Sequence, residues 1–364
     1  MISFGLTEEQ EVVREAMRDF AAEAVRPAAR ECDEESKIPQ ELLDTVHELG
    51  LTSTQIPEAF GGGGEERSPV TNALVLEELA HGDAALAVAA VAPGLFANAI
   101  VDYGTEAQKQ ELLPLFCGES YHAASLAVVE PGALFDAQRL RSVAEPKGDG
   151  FVISGTKSFV VMGDRASHFL VIARNNGGAD AFIVPRDAEG LTISENEKNL
   201  GLRGLPTSTL ELERVEVGAA ARLGGDQGCD VQRILDASRV GLAAVMLGVS
   251  RAVLEYCVPY AKDREAFDEP ISKKQSIAFR LSDMHIEVEA MRWMVWKAAS
   301  TLEKGLDATR DAHLARQYAA EKSMWIADNG IQVLGGHGFI REHPVELWFR
   351  HVRTLSVLEG AVAL

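Results

Sequence analysis

FVISGTKSFVVMGDRASHFLVIARNNGGADAFIVP, residues 151–185, decides the architecture of this chain. Its apolar and β-branched residues fall in short runs, FVISG, SFVVM, FLVIA and AFIVP, parted by turn signals such as Asn176-Gly177-Gly178. Such runs between Gly, Asn and Asp clusters read as strands joined by turns. The pattern continues outward. SLAVV at 125–129 and the turn Lys147-Gly148-Asp149-Gly150 precede it; LTI at 191–193 and TLELERVEV at 209–217 follow. Strands at this spacing predict a small antiparallel barrel or sandwich over 121–225.

On both sides the period changes to that of helices. Thr7 followed by Glu8, Glu9 and Gln10 is a capping signature, and Val12, Val13, Met17, Phe20 and Ala24 follow at helical spacing. Pro27 ends or bends that helix. Pro39 opens another through Leu42, Leu43, Val46 and Leu49, and Gly50 stops it. A third carries Val75, Leu76 and Leu79. The apolar run from Ala84 to Val101 is rich in Ala and holds Pro93 and Asn98, which predicts a buried helix pair rather than a membrane span. After Gly228 long amphipathic stretches run over 230–261, 271–303 and 308–334. The layout is α+β and multidomain: helical over 1–120, β over 121–225, helical over 226–364.

The 364 residues are 46% apolar and 25% charged, which excludes disorder and collagen-like structure. A formal charge of -20 argues against nucleic acid and anionic membranes as partners. Cys32, Cys117, Cys229 and Cys257 form no CxxC pair and no zinc spacing with histidine, which suits reduced, buried thiols in a cytoplasmic protein. MISFGLTEEQ lacks the basic-then-apolar pattern of a signal peptide.

Motifs of chemical interest are few. Gln332 and Gly335-Gly336-His337-Gly338 end a helix; the bare amides suit either a ligand or a helix C-cap. The glycines at 61–64 carry the same two readings. No Walker loop, no GxGxxG between strand and helix and no nucleophile elbow occurs. His337 and His343 lack ligand spacing, so no metal site is expected. Met291, Trp293, Met294 and Trp296 read as helix core or interface. Glu359, flanked by Leu358 and Gly360, is either at a loop surface or desolvated enough to act as a general base.

Taken in order, these stretches resemble the acyl-CoA dehydrogenase flavoprotein family along nearly the whole chain. Leu6-Thr-Glu-Glu-Gln through Phe20, Pro27, Asp33, Pro39, Gly50, Pro57 and Gly61-Gly62 is similar to its opening helices. Val129-Glu-Pro-Gly resembles its T-E-P-G segment. Arg264-Glu-Ala-Phe-Asp-Glu-Pro-Ile, with Gln275 and Leu281-Ser-Asp-Met, is similar to R-x-x-F-G-x-P-I…Q…L-A-D-M. Gln332-Val-Leu-Gly-Gly-His-Gly is similar to Q-x-x-G-G-x-G. The resemblance implies a helical domain, a central antiparallel β-barrel and a C-terminal four-helix bundle. It implies FAD-dependent α,β-dehydrogenation of an acyl-CoA thioester, with Glu359 on the family's Y-E-G-T base and an electron-transfer flavoprotein as electron acceptor. The family's other site for the base is Ser238 here. Arg239 and Asp236 carry over as substrate-binding residues; the other reading is an ion pair within one helix.

Departures from the pattern are grouped. The T-E-P threonine is Val129, the following G-S-D is Leu134-Phe135-Asp136, and the flavin-packing W-x-T-N is Phe159-Val160-Val161-Met162. Each lost hydroxyl removes roughly 0.5–1.5 kcal/mol. A glycine position is Asp268, and five residues follow Glu359, too few for the helix the family places there. In the family, Val129, Phe159 and Val161 mark contacts to a subunit's own FAD. Arg264, Phe267, Gln275, Gln332, Gly335 and Gly336 mark contacts to a neighbour's. Loss of the first set and retention of the second implies one partner in a heterotetramer with a paralogous dehydrogenase. Such unlike-pair enzymes resemble those of actinobacterial steroid side-chain degradation, which take bulky acyl-CoA. The alternatives are a self-sufficient homotetramer with Glu359 as base and a non-catalytic scaffold or acyl-CoA-binding subunit.

Overall fold

Thr7 does what its sequence context demands. Its hydroxyl accepts from the Gln10 amide at 3.2 Å and the Gln10 side chain accepts from the Thr7 amide at 3.1 Å, which caps α1 (Glu8–Phe20). The structure is a computed structural model that describes residues 5–133 and 135–364. Residues 1–4, at the start of the segment read for a signal peptide, and Leu134, in the altered G-S-D segment, lie outside the described residues.

Pro27 does not end the helix. Ala21–Val25 winds as a wider π turn, and the helix continues directly as α2 (Arg26–Glu35) with Pro27 in its first turn. Then come α3 (Gln40–His47) behind Pro39, α4 (Pro69–Gly82), α5 (Ala84–Tyr103) and α6 (Glu106–Leu112). The expected pair over 84–101 is one continuous helix with Pro93 inside it. α5 is long and apolar enough to cross a membrane, yet 94% of that window is buried within the fold. Burial on all sides holds the helix together across the proline.

The strands are β1 (Ser125–Ala127), β2 (Val143–Lys147), β3 (Gly150–Val161), β4 (His168–Asn175), β5 (Gly178–Pro185), β6 (Leu191–Ile193) and β7 (Thr207–Val217). FVISG and SFVVM are one strand, β3, with irregularities after Ile153 and Lys157. The seven strands form a single sheet in the order β1-β4-β2-β3-β7-β6, with β5 on β4. Among the described residues it does not close into the expected barrel, and it is mixed: β1 and β2 run parallel to β4. Two of the outer strands are covered instead, α5 packing on β1 and α7 (Val231–Asp263) on β5, which protects an edge.

α7 is the centre of the helical part. It packs on α4, on α8 (Gln275–Glu303) and on α9 (Thr309–Leu334). Gly248 lets α7 cross α4 closely: a Cβ there would lie 2.2 Å from the Glu77 carbonyl. Between α7 and α8, β8 (Glu265–Ala266) and β9 (Glu269–Pro270) make a hairpin whose turn residues Phe267 and Asp268 have φ of 57° and 62°. α10 (Val345–Leu355) ends the helical set. All four cysteines are free; Cys32 and Cys257 are buried, Cys117 and Cys229 partly so.

Candidate active site

Asp230 caps α7 by accepting from the Arg233 amide at 3.0 Å, and the register this sets brings Asp236 and Arg239 to the same side, three residues apart. The same α7 face meets the turn after α10. There Arg239 Nε donates to Glu359 Oε1 at 2.5 Å. Arg239 Nη1 also lies 3.5 Å from Asp236 Oδ1. Asp236 is buried, and it accepts from Gln232 Nε2 at 2.7 Å and Thr309 Oγ1 at 2.8 Å. The result is a chain from Thr309 through Asp236 and Arg239 to Glu359. Asp236 therefore contacts protein groups behind the arginine, so the i, i+3 pair is present and serves Glu359.

The Glu359 side chain keeps 15% of its exposure, so it is neither a free surface carboxylate nor sealed. Gly360 has a φ of 68°, and a side chain there would strike Val128 at 2.6 Å and Leu126 at 2.8 Å. That glycine presses the turn onto β1 and puts Glu359 at the seam between sheet and helices. The bond from Arg239 holds the carboxylate through Oε1 and so fixes the direction of its other oxygen.

The residues expected around FAD divide into two sets. Val129, Val161 and Met162 are buried, with exposures of 6%, 3% and 0%, and offer no side-chain hydrogen-bonding group. Two of their carbonyls are already engaged: that of Val129 accepts from the Ser158 amide at 2.9 Å and that of Val161 from the Ser125 hydroxyl at 2.5 Å. The Phe159 amide points to the Glu197 carboxylate at 3.4 Å. Arg141 occupies the ground over the following loop, where a side chain at Gly132 would meet its guanidinium at 2.6 Å. This wall offers no side-chain hydrogen-bonding group to a polar isoalloxazine edge.

The second set faces outward. Arg264, Gln275, Gln332, Gly335 and Gly336 are exposed, and Phe267 is 89% exposed. Gly335 caps α9, so the C-cap reading holds; nothing lies within 4 Å of a Cβ placed at it or at Gly336, so its bare face is open as well. This set fits a flavin presented from outside the chain. The glycines at 61–64 serve structure: Gly62 and Gly63 press on the backbones of Ile56 and Thr54.

Beside Val129 sits a charged pair that sequence reasoning missed. Lys157 Nζ lies 2.9 Å from Glu130 Oε1, both buried, and Glu130 also accepts the amides of Arg141 at 2.7 Å and Ser142 at 2.9 Å. Burial alone would raise the Glu130 pKa; Lys157 and these amides outweigh it and hold the carboxylate down at about 2. The alternation of β3, with Lys157 among inward residues, was the available signal. Thr309, Gln232 and Arg316 also escaped, because nothing local marks a polar residue on a helix as the partner of a turn far along the chain.

Three family profiles match the chain: "Acyl-CoA dehydrogenase, N-terminal domain" over 7–119, "middle domain" over 125–215 and "C-terminal domain" over 226–363. An acyl-CoA dehydrogenase of Bacillus subtilis is 33% identical over 98% of this chain and 95% of its own. The mitochondrial short-chain specific acyl-CoA dehydrogenase of Bos taurus is 32% identical over 98% of this chain and 88% of its own. Among solved structures, butyryl-CoA dehydrogenase from Megasphaera elsdenii superposes with a TM-score of 0.88 at 32% identity, covering 99% of this chain and 96% of that one. A glutaryl-CoA dehydrogenase from Mycobacterium smegmatis, in complex with FADH2, superposes with a TM-score of 0.88 at 25% identity, covering 98% and 92%. With helices, sheet and helices in that order and a carboxylate at their seam, the chain belongs to the acyl-CoA dehydrogenase family, oxidoreductases of acyl-CoA that depend on FAD.

Proposed function

We propose that this chain is one subunit of a heteromeric acyl-CoA dehydrogenase, that it completes the flavin site of a paralogous subunit, and that Glu359 is the base. The division of the flavin-site residues carries the reading: the inward wall of Val129, Val161 and Met162 is apolar and packed, while Arg264, Phe267, Gln275, Gln332, Gly335 and Gly336 face out. A chain that binds FAD only through its outward residues needs a neighbour to hold the rest.

FAD, when bound, supplies the acceptor for the β-hydrogen and its electron pair. The chain's own part is proton transfer. Glu359 takes the α-proton on Oε2 as the Cα–H pair forms the α,β double bond, and the substrate is oxidised by two electrons. Arg239 fixes Oε1, and Asp236 with Thr309 and Gln232 fixes Arg239. By resemblance to unlike-pair enzymes, the substrate is a bulky thioester of the steroid side-chain kind. An electron-transfer flavoprotein is the proposed electron acceptor.

The test is flavin stoichiometry. The chain purified alone is expected to be colourless, and co-expression with an acyl-CoA dehydrogenase that keeps T-E-P-G-x-G-S-D is expected to give a yellow complex with fewer FAD than chains. Stoichiometric FAD on the chain alone would reject the heteromeric reading and leave a self-sufficient homotetramer. Comparison of cholanoyl-CoA with butyryl-CoA as substrates of the complex tests the bulky-acyl reading.

A further inference from the structure

We infer that Arg316 is a positioning residue for this reaction: it holds the backbone turn that carries Glu359. The inference rests on Glu359 being the base.

Arg316 projects from α9 beside Ala312, Ala315 and Ala319, all buried. Its Nη2 lies 3.0 Å from the Leu355 carbonyl, 3.2 Å from that of Ser356 and 2.9 Å from that of Leu358. Leu355 is the last residue of α10, and Ser356 and Leu358 lie in the turn that leads into Glu359. The end of a helix carries the negative end of its dipole, and carbonyls beyond it need donors. One guanidinium here bonds the last α10 carbonyl and two carbonyls of the turn.

The arrangement is not an ordinary ion pair. Among the described residues' salt bridges none involves Arg316, although Arg239 nearby has both Asp236 and Glu359. Desolvation lowers the Arg316 pKa; the field of Glu359 opposes that and the field of Arg239 adds to it. Its Nε is buried without a partner. A desolvated cation without a carboxylate partner costs stability, so this one is set where the turn needs its charge and its donors. Around Glu359, α7 contributes Arg239 with Asp236 behind it, α9 contributes Arg316, and α10 contributes carbonyls. The β1 side is apolar, Leu126 and Val128 lying against Gly360.

The experiment is α-hydrogen exchange of a CoA thioester in D2O, read by mass spectrometry on the FAD-supplied complex. The probe is whichever of butyryl-CoA and cholanoyl-CoA exchanges faster. Glu359→Gln sets the baseline. Arg316→Met is expected to slow exchange roughly 100-fold, as misplacement of a reacting group does, with little change in half-saturation. Arg316→Lys cannot span the three carbonyls, so its rate falls as well, again at the wild-type half-saturation. Melting followed by circular dichroism reports the folded fraction of each variant. If Arg316→Met does not fold, Arg316→Lys decides: a reduced rate at unchanged half-saturation supports the inference, and a wild-type rate overturns it. A folded Arg316→Met with the wild-type rate overturns it too, while leaving Glu359 as the base. No exchange by the wild type, or exchange untouched by Glu359→Gln, removes the base and the inference together.

Discussion

Arg239 shows how one side chain can hold a site. Its Nε reaches Glu359 and its Nη1 reaches Asp236, so two carboxylates from different parts of the chain share it. Replacement by glutamine removes the charge-assisted bond, worth roughly 1.5–3 kcal/mol. Arg239→Gln is expected to lower the exchange or dehydrogenation rate by about 10- to 100-fold, at 1.36 kcal/mol per decade. Asp236 keeps Thr309 and Gln232, so the fold is expected to survive; steady-state kinetics with a melting curve check both parts. Of this site, Glu359, Arg239 and Asp236 were readable by resemblance, but not the way they connect. An i, i+3 acid–base pair looks the same in sequence whether it faces solvent or backs a second carboxylate. Burial of Asp236, and Thr309 arriving from α9, place this pair behind Glu359.

At the scale of elements, β1, β3 and the loop after β1 are tied by Glu130 and Lys157. Glu130 is held down at about 2 in the folded protein, below the 4.5 of a free glutamate. A depressed carboxylate pKa means stability that is present above the unfolded value and lost as pH falls toward the folded one. The wild type should therefore lose stability between about pH 4.5 and 2. Glu130→Gln, which strands Lys157, is expected to cost about 3–5 kcal/mol near neutrality and to flatten the acid dependence; urea unfolding at several pH values measures it. The strand runs around this pair were visible from alternation and turns. Their merging into the single strand β3 was not, because Gly155, at φ 151°, looked like a turn and is an irregularity pressed on Ser142. Closure was likewise invisible: pattern tells which face of a strand is buried, not whether β5 meets β6 or a helix.

For the molecule as a whole, the outward flavin set makes a prediction of its own. Phe267 stands at the tip of the β8–β9 hairpin, 89% exposed, with Lys274 Nζ 5.6 Å from its ring centroid. Phe267→Ser is expected to leave the melting temperature of the single chain unchanged. In the co-expressed complex it is expected to lower FAD retained after gel filtration, measured by flavin absorbance per chain. Retention equal to wild type would remove Phe267 from the proposed shared site.

The order of helical and β segments, the cap at Thr7 and the apolar side chains at Val129, Val161 and Met162 all follow from the linear chain. Periodicity, capping and side-chain chemistry are local properties, so neighbours in sequence are enough to express them. Tertiary structure alone decided that the sheet stays open, that 84–103 is one buried helix, and that Arg316 from α9 meets the end of α10. Each of these depends on which surfaces remain for a segment to cover once the others have packed, and that is settled only when distant parts of the chain meet.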